Sequence, residues 1–419
     1  MPFLPADWIA LAMGLGALGL LRAWPRAGIL LGSLALTLAL RRLNLSISTL
    51  PLSLGLVWAS RGSKPLKRLA FMGLNLSVFF LGAEGFLWAA DRGLIETRLF
   101  YKEKWPDGVP YDSDSVKVLG HCPTPGKSTR CLSYLHSDTL DWEALYTIDA
   151  EGRRLTVGQP PKEKGQDTIA LVGCSNTFGH GVNDDETIAS VLQTRVPQRV
   201  ENLGVNAYGP SEVLNLLKGL EPRFHLDPEA KVKDVVYFFI PHHFYRHPFS
   251  PSWNYRLSEG ALFYRLKDGG IEPFVFSRPP SGDPGAFAAF GSTFWNQHTR
   301  LSKFTRLPPP QGEVDPAWVE LTARLVCEMR RVCSEPWGAR FHMVVLGYHD
   351  QVRHEENIRA LIEKLASRGV DVWDFRHLCG DVNDPVNLDA HFDITSRHLT
   401  ALHARKVGQE LAQRLTSQH

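Results

Sequence analysis

Four stretches near the start of the chain, Trp8–Leu21, Gly28–Leu40, Leu43–Ser60 and Leu69–Ala90, carry almost no charge and are apolar all round. A helix without a polar face has nothing to offer bulk water, so such segments suit a bilayer rather than the surface of a soluble domain. The fourth stretch is long enough to cross a hydrocarbon core by itself, which takes about 20 residues, while the first two are short enough to lie at its interface. Arg22, Arg26, Arg41, Arg42, Arg61, Lys64, Lys67 and Arg68 punctuate them. Lys and Arg collect on the cytoplasmic side of membrane proteins. That places the loop Arg61–Arg68 inside and everything after Ala90 outside. Asp7 stands where the basic region of a cleaved signal peptide would be, so no cleavage is expected. Residues 1–92 therefore read as about four transmembrane helices. The expected location is a cell membrane, with the lipid bilayer as partner and the remaining chain on the extracytoplasmic side.

Past this region the composition changes. A polar, Pro-rich lead-in (93–166) ends where apolar strand patterns and helical patterns begin to alternate. The strand candidates are Thr168–Gly173, Arg199–Leu203, Asp234–Ile240, Arg340–Leu346 and Val370–Phe375. The helix candidates are Glu186–Val196, Ser211–Leu220, Pro316–Val332, His354–Arg368 and Leu399–Leu415, with Asn183 or Asp185 capping the first. This alternation predicts an α/β domain over 167–419, a parallel sheet between two helical layers. One insert, 244–315, breaks the rhythm. It is rich in aromatic residues (Phe249, Trp253, Tyr255, Phe287 and Trp295 among them), so it is either a wall over a site or a small satellite core. Leu262–Leu266 and Pro273–Phe276 pattern as a hairpin around Asp268-Gly269-Gly270.

The net charge of +2 and the absence of a basic stripe with interleaved aromatics exclude a nucleic-acid partner. The six cysteines suit an exported domain: Cys122 and Cys131 bracket a Pro/Gly loop and are expected to pair, and Cys327 or Cys333 could reach Cys379. No Cys or His cluster has the spacing of a zinc site, so no metal and no cofactor is expected. Oligomeric state cannot be read from these residues.

The chemistry is carried by Thr168–Gly179. Ile169–Val172 is a strand pattern that stops at Gly173, and a hydroxyl follows two residues later at Ser175. A strand that delivers Ser into a Gly-bounded turn sets its Oγ at the carboxyl edge of the sheet, where open α/β sheets keep their sites. Such a turn also frees backbone N–H groups for a developing oxyanion. Cys174, beside it, reads as a small buried residue.

The segment Gly173-Cys174-Ser175-Asn176-Thr177-Phe178-Gly179-His180-Gly181-Val182 resembles the nucleophile block of the SGNH (GDSL-type) hydrolases, with Cys174 where the family usually has Asp. Together with Tyr146–Arg154, where a short hairpin precedes the first strand, it is similar to the membrane-attached branch of that family. The resemblance implies a three-layer α/β/α, flavodoxin-like domain with a five-stranded parallel sheet and Ser175 as nucleophile. The family's base comes from a late Asp-x-x-His that opens a helix. His398-Leu399-Thr400 matches that start, which makes His398 the base. Thr395 stands where the acid belongs, so the acid is Asp393, five residues before His398, or else Asp389 paired with His391. In the second block Ala207 holds the place of the oxyanion-donating Gly, with Gly209 next. In the third, His242 or His243 replaces the oxyanion Asn. The resemblance thus implies a membrane-anchored serine esterase or acyltransferase. Its substrate would be an ester, such as an O-acyl group on an envelope glycan. The rival is a catalytically inactive envelope glycan-binding or assembly protein that retains the fold.

Overall fold

A computed structural model of the chain describes residues 102–112, 118–134, 140–221, 224–226, 229–248, 260–277, 314–393 and 396–417. The four apolar stretches of residues 1–92 lie outside these, as do Phe249, Trp253, Tyr255, Phe287 and Trp295 of the insert. Among the described residues no helix is long and apolar enough to cross a membrane.

Five strands form one sheet: β6 (Asp167–Gly173), β7 (Arg199–Gly204), β8 (Lys231–Phe239), β11 (Arg340–Leu346) and β12 (Asp371–Phe375). Their order is β12-β11-β8-β6-β7, and every neighbouring pair is parallel. Numbered along the sheet's own strands this is the order 2-1-3-4-5, whose direction of winding reverses between β6 and β8. The central strands β6 and β8 are largely apolar on both faces because helices cover both. In β8, Val235, Tyr237 and Phe239 point to one layer, built from α3 (Pro210–Leu217), α4 (Pro316–Trp337) and α5 (Glu355–Ser367). Val236 and Phe238 alternate to the other, built from α2 (Ile188–Gln193) and α7 (Ala401–Thr416). Full burial of each such side chain stabilises the fold by about 1.5–3 kcal/mol.

Helix starts follow local capping rules. Asp315 accepts from the Ala317 N–H and Pro316 takes the first helical position of α4. Thr400 caps α7. The first of these helices begins later than its sequence pattern: Asn183 and Glu186 cap each other around a 3₁₀ turn at Asp184–Glu186, and Thr187 then caps α2 through the Ser190 N–H. Two elements carry no apolar pattern in the sequence, the four-residue α1 (Ser175–Phe178) and α6 (Pro385–His391).

The lead-in is more than a hairpin. Strands β1 (Lys102–Lys104), β4 (Ser128–Tyr134) and β5 (Leu140–Thr147) form an antiparallel sheet, and β2 (Tyr111–Asp112) pairs with β3 (Cys122–Pro123). The inner face of the first sheet packs Cys131, Ala144 and Tyr146 against Phe178 of α1. Arg154, wholly buried, stacks on Tyr146 and Phe178 and pairs with Asp184 at 2.8 Å. The lead-in is thus locked onto the turn that carries Ser175.

The expected disulfides are absent: none of the six cysteines is joined to another. Cys122 sits in the core under α3, whereas Cys131 faces Tyr146 in the lead-in. Cys333 and Cys379 lie on opposite faces of the central sheet. The described part of the insert contains the expected hairpin, β9 (Leu262–Lys267) with β10 (Gly270–Val275). Ala261, Phe263 and Phe276 form a small core of their own, and Tyr264 donates its hydroxyl to Asn215 of α3 at 2.8 Å. In this part the satellite-core reading holds.

Candidate active site

β6 ends at Gly173, and the chain turns through Cys174 into α1, so that Ser175 opens a helix at the carboxyl edge, at the reversal point. The turn fits because β7 also ends in Gly: a Cβ on Gly204 would lie 2.3 Å from the Phe178 nitrogen, so no other residue lets α1 pack so close.

His398 arrives from the far end of the chain. Phe392 bridges Leu399 as the stem of a short loop, in which Asp393 N–H donates to His398 O (2.9 Å) and Arg397 N–H to Asp393 O (3.2 Å). Arg397 takes a left-handed φ of 59° to close it. The Leu399 N–H reaches Asn176 Oδ1 at 3.4 Å, tying this loop to the serine turn. The result is a hydroxyl-to-imidazole hydrogen bond: Ser175 Oγ donates to His398 Nε2 over 2.8 Å.

Asp393 meets His398 at the backbone and reaches its ring through Ser396. Asp393 Oδ2 accepts the Ser396 hydroxyl at 2.7 Å, and His398 Nδ1 donates to that same hydroxyl at 2.7 Å. The Asp393 carboxylate also accepts the backbone N–H groups of Ser396 (2.5 Å) and His398 (2.9 Å). A five-residue spacing makes a hairpin in which the carboxylate is spent on capping the loop, so Ser396 is left to face the imidazole. Because a carboxylate only accepts, the proton order along Asp393–Ser396–His398–Ser175 is fixed, with the His398 proton on Nδ1 and the lone pair on Nε2. The other acid candidate is elsewhere: Asp389 pairs with Arg397 at 3.1 Å, and His391 is buried between Asn387 O and Lys406 Nζ.

Burial pushes the His398 imidazole well below its usual pKa, and the neighbouring His180 and Arg246 add to the effect. The ring is neutral at neutral pH. The His180 ring is tilted against it with ring centres 4.5 Å apart, its Nε2 on Glu103 Oε1 (3.0 Å) and its Nδ1 accepting from Asn206 Nδ2 (3.2 Å). Trp142 meets the His180 ring edge-on at 5.5 Å, and Gly181 lies between Trp142 and the Asp393 carboxylate.

The four oxyanion candidates fare differently. Ala207 adopts φ 68°, the left-handed region that costs a non-Gly residue about 1–2 kcal/mol. Strain of this kind collects at functional loops. Gly209 is corrected, since its N–H is taken by Glu212 Oε2 at 3.1 Å. Its glycine character serves packing instead, because a Cβ would lie 2.6 Å from Arg246 Cβ. His243 is corrected as well: it is a core residue, stacked on Tyr237 and held by the Tyr237 hydroxyl on Nδ1 at 2.7 Å. His242 is half-buried at the end of β8, with Nε2 on Asp350 Oδ2 at 3.0 Å. Beside it stands His349, which burial lowers to a pKa of about 4. His242, His349 and Asp350 bring one ligand atom each to within 4.8 Å of one another, the one such group among the described residues able to hold a metal ion.

Ser396, Asn176, His180 with Glu103 and Asn206, and the pair His349-Asp350 were not singled out by the sequence. Only Ser396 carried a local signal, a hydroxyl between Asp393 and His398 in a loop-forming run.

Neither a protein-family model nor a curated protein matches the sequence. Among solved structures, a lipolytic protein of the G-D-S-L family from Desulfitobacterium hafniense DCB-2 aligns at 12% identity and a TM-score of 0.34, over 59% of this chain and 98% of its own. A carbohydrate esterase with divergent catalytic and non-catalytic binding functions aligns at 12% identity and a TM-score of 0.32, over 65% of this chain and 70% of its own. Likeness at this level leaves the geometry of the site as the ground for any reading of function.

Proposed function

We propose that this chain is an SGNH-type serine esterase or acyltransferase. The observation that carries the reading is the 2.8 Å bond from Ser175 Oγ to the unprotonated nitrogen of a buried, neutral His398. Ser175 Oγ attacks an ester carbonyl while His398 Nε2 takes its proton. The tetrahedral oxyanion is met by the N–H groups of Ser175 and Ala207 and by His242. Collapse expels the alcohol, which receives the proton from His398, and leaves an acyl group on Ser175. Water, or an acceptor hydroxyl in a transfer reaction, then gives its proton to His398 and attacks the acyl carbon, and His398 returns that proton to Ser175 Oγ as the acyl product leaves. Ser396 holds the imidazole in its Nδ1–H tautomer, and Asp393 holds Ser396.

The apolar stretches of residues 1–92 support a membrane anchor and an extracytoplasmic site, and an O-acyl group on an envelope glycan is the proposed substrate. A second reading, a non-catalytic glycan-binding or assembly protein, draws on the fact that a hydroxyl rather than a carboxylate meets His398. A fluorophosphonate probe separates the two, since only an activated serine reacts. Labelling of the full chain, lost in Ser175→Ala, supports the esterase. An unlabelled, correctly folded chain overturns it.

A further inference from the structure

The carboxyl edge of the sheet holds a second group of side chains that the serine chemistry does not use in full. His242 follows β8, and His349 and Asp350 follow β11, the strand beside it. The His242 and His349 rings stand perpendicular, their centres 5.9 Å apart. The ligand atoms of all three residues fall within 4.8 Å of one another, and each side chain is half-buried. Asp350 Oδ2 takes His242 Nε2 at 3.0 Å and has His354 Nε2 at 3.6 Å. Its other oxygen, Oδ1, is buried and has no hydrogen-bond partner. Buried polar atoms are rarely left so. One carboxylate among three imidazoles, with an oxygen to spare, is an incomplete site.

We propose that His242, His349 and Asp350 bind a divalent transition-metal ion of the zinc class. Two imidazoles and one carboxylate are the donor set of zinc-type ions rather than of calcium or magnesium, which take oxygen ligands. Three protein ligands leave a coordination position for water or substrate, as in open sites. His354, fully buried, brings its Nε2 to 3.6 Å from Asp350 Oδ2, a third imidazole beside the carboxylate. The spacing of the ligands along the chain gives no hint of this, because β8 and β11 are adjacent only in the folded sheet.

The test is zinc titration by calorimetry on the metal-stripped full chain, with cobalt as a spectroscopic probe. One zinc ion per chain is expected, with visible d–d absorption of low-symmetry cobalt(II). His349→Gln and Asp350→Asn should each weaken binding by more than about tenfold, and the circular dichroism of His349→Gln should match that of the parent. Ser175→Ala should bind as tightly as the parent. Absence of stoichiometric binding in the parent overturns the proposal. So does equal affinity in folded His349→Gln, or loss of binding in Ser175→Ala. Because the readout is metal affinity, a failure here leaves the serine esterase reading standing, and a failure of fluorophosphonate labelling leaves this one standing.

Discussion

Two histidines stand at opposite ends of the same sheet and are held in opposite ways. His342, near the amino end of β11, is clamped between carboxylates, with Nδ1 on Asp371 at 2.8 Å and Nε2 on Asp234 at 3.0 Å, and it stacks on Trp373 at 4.3 Å. Arg340 completes the cluster through Asp234. His398, at the carboxyl end, touches two hydroxyls, Ser175 and Ser396. The first arrangement engages both ring nitrogens with carboxylates and so serves structure. The second leaves a neutral ring with one free lone pair, able to accept a proton and return it. A relayed carboxylate keeps the orientation and softens the pull.

The largest effect that would break this contrast is at the nucleophile. Ser175→Ala should lower hydrolysis of a short-chain aryl ester by on the order of 10⁴-fold or more, with unchanged folding. If the Ala protein keeps most of its activity, the carboxyl-end histidine is as structural as the other one.

Next is the amino end. Asp234 is 1% exposed and accepts hydrogen bonds from Arg340 and His342, and removing that buried acceptor costs about 1–3 kcal/mol. Asp234→Ala should show this in denaturant unfolding, with the ester rate per folded molecule unchanged. A rate loss without a stability loss would reverse the roles given to the two clusters.

The relay sharpens the comparison. Ser396→Ala leaves His398 Nδ1 without its acceptor, and turnover should fall by on the order of 10²-fold with KM little changed. Asp393→Asn should do likewise and also lower the melting temperature, because the carboxylate accepts two backbone N–H groups of the loop. Asp389→Asn, which disturbs only a half-exposed pair with Arg397, should stay within about twofold. Equal, small effects from all three would mean that His398 works without an orienting group.

The smallest effects are in pH. His398, His247 (about 4) and His403 (about 3) are lowered chiefly by burial. In the unfolded chain they would take protons near pH 6.5, so the unfolded state binds more protons as pH drops below that value. Stability should therefore fall from about pH 6.5 downward, and the acid limb of the rate should lie well below 6.5. Burial opposes ionisation of Asp234, but hydrogen bonds from His342 and Arg340 outweigh it and hold its carboxyl below 3.8. Its contribution should persist until pH falls below that value. A rate profile with its inflexion at 6.5 would show His398 to be solvated.

Local patterns along the chain determined much of this protein. The five strand runs are legible because residues buried on both faces must be apolar, and the serine turn is legible because a strand that stops at Gly173 before a hydroxyl has few other meanings. Ser175 is marked by that turn, whereas His398 could be named only because His398-Leu399-Thr400 resembles a family's helix start. What only the tertiary structure decided concerns groups whose neighbours are far away in sequence. His243 and His242 are adjacent in the chain, yet a 3₁₀ turn at Pro241–Tyr245 sends one into the core against Tyr237 and leaves the other half-exposed beside Asp350. Cys122 and Cys131 flank one loop but enter different cores. Asp393 looks misplaced by its spacing, and only the closed loop shows Ser396 carrying its influence to the ring. Sequence distance governs capping and periodicity. Which side chains share a cleft is set by strand order, and that order is written in packing rather than in any single segment.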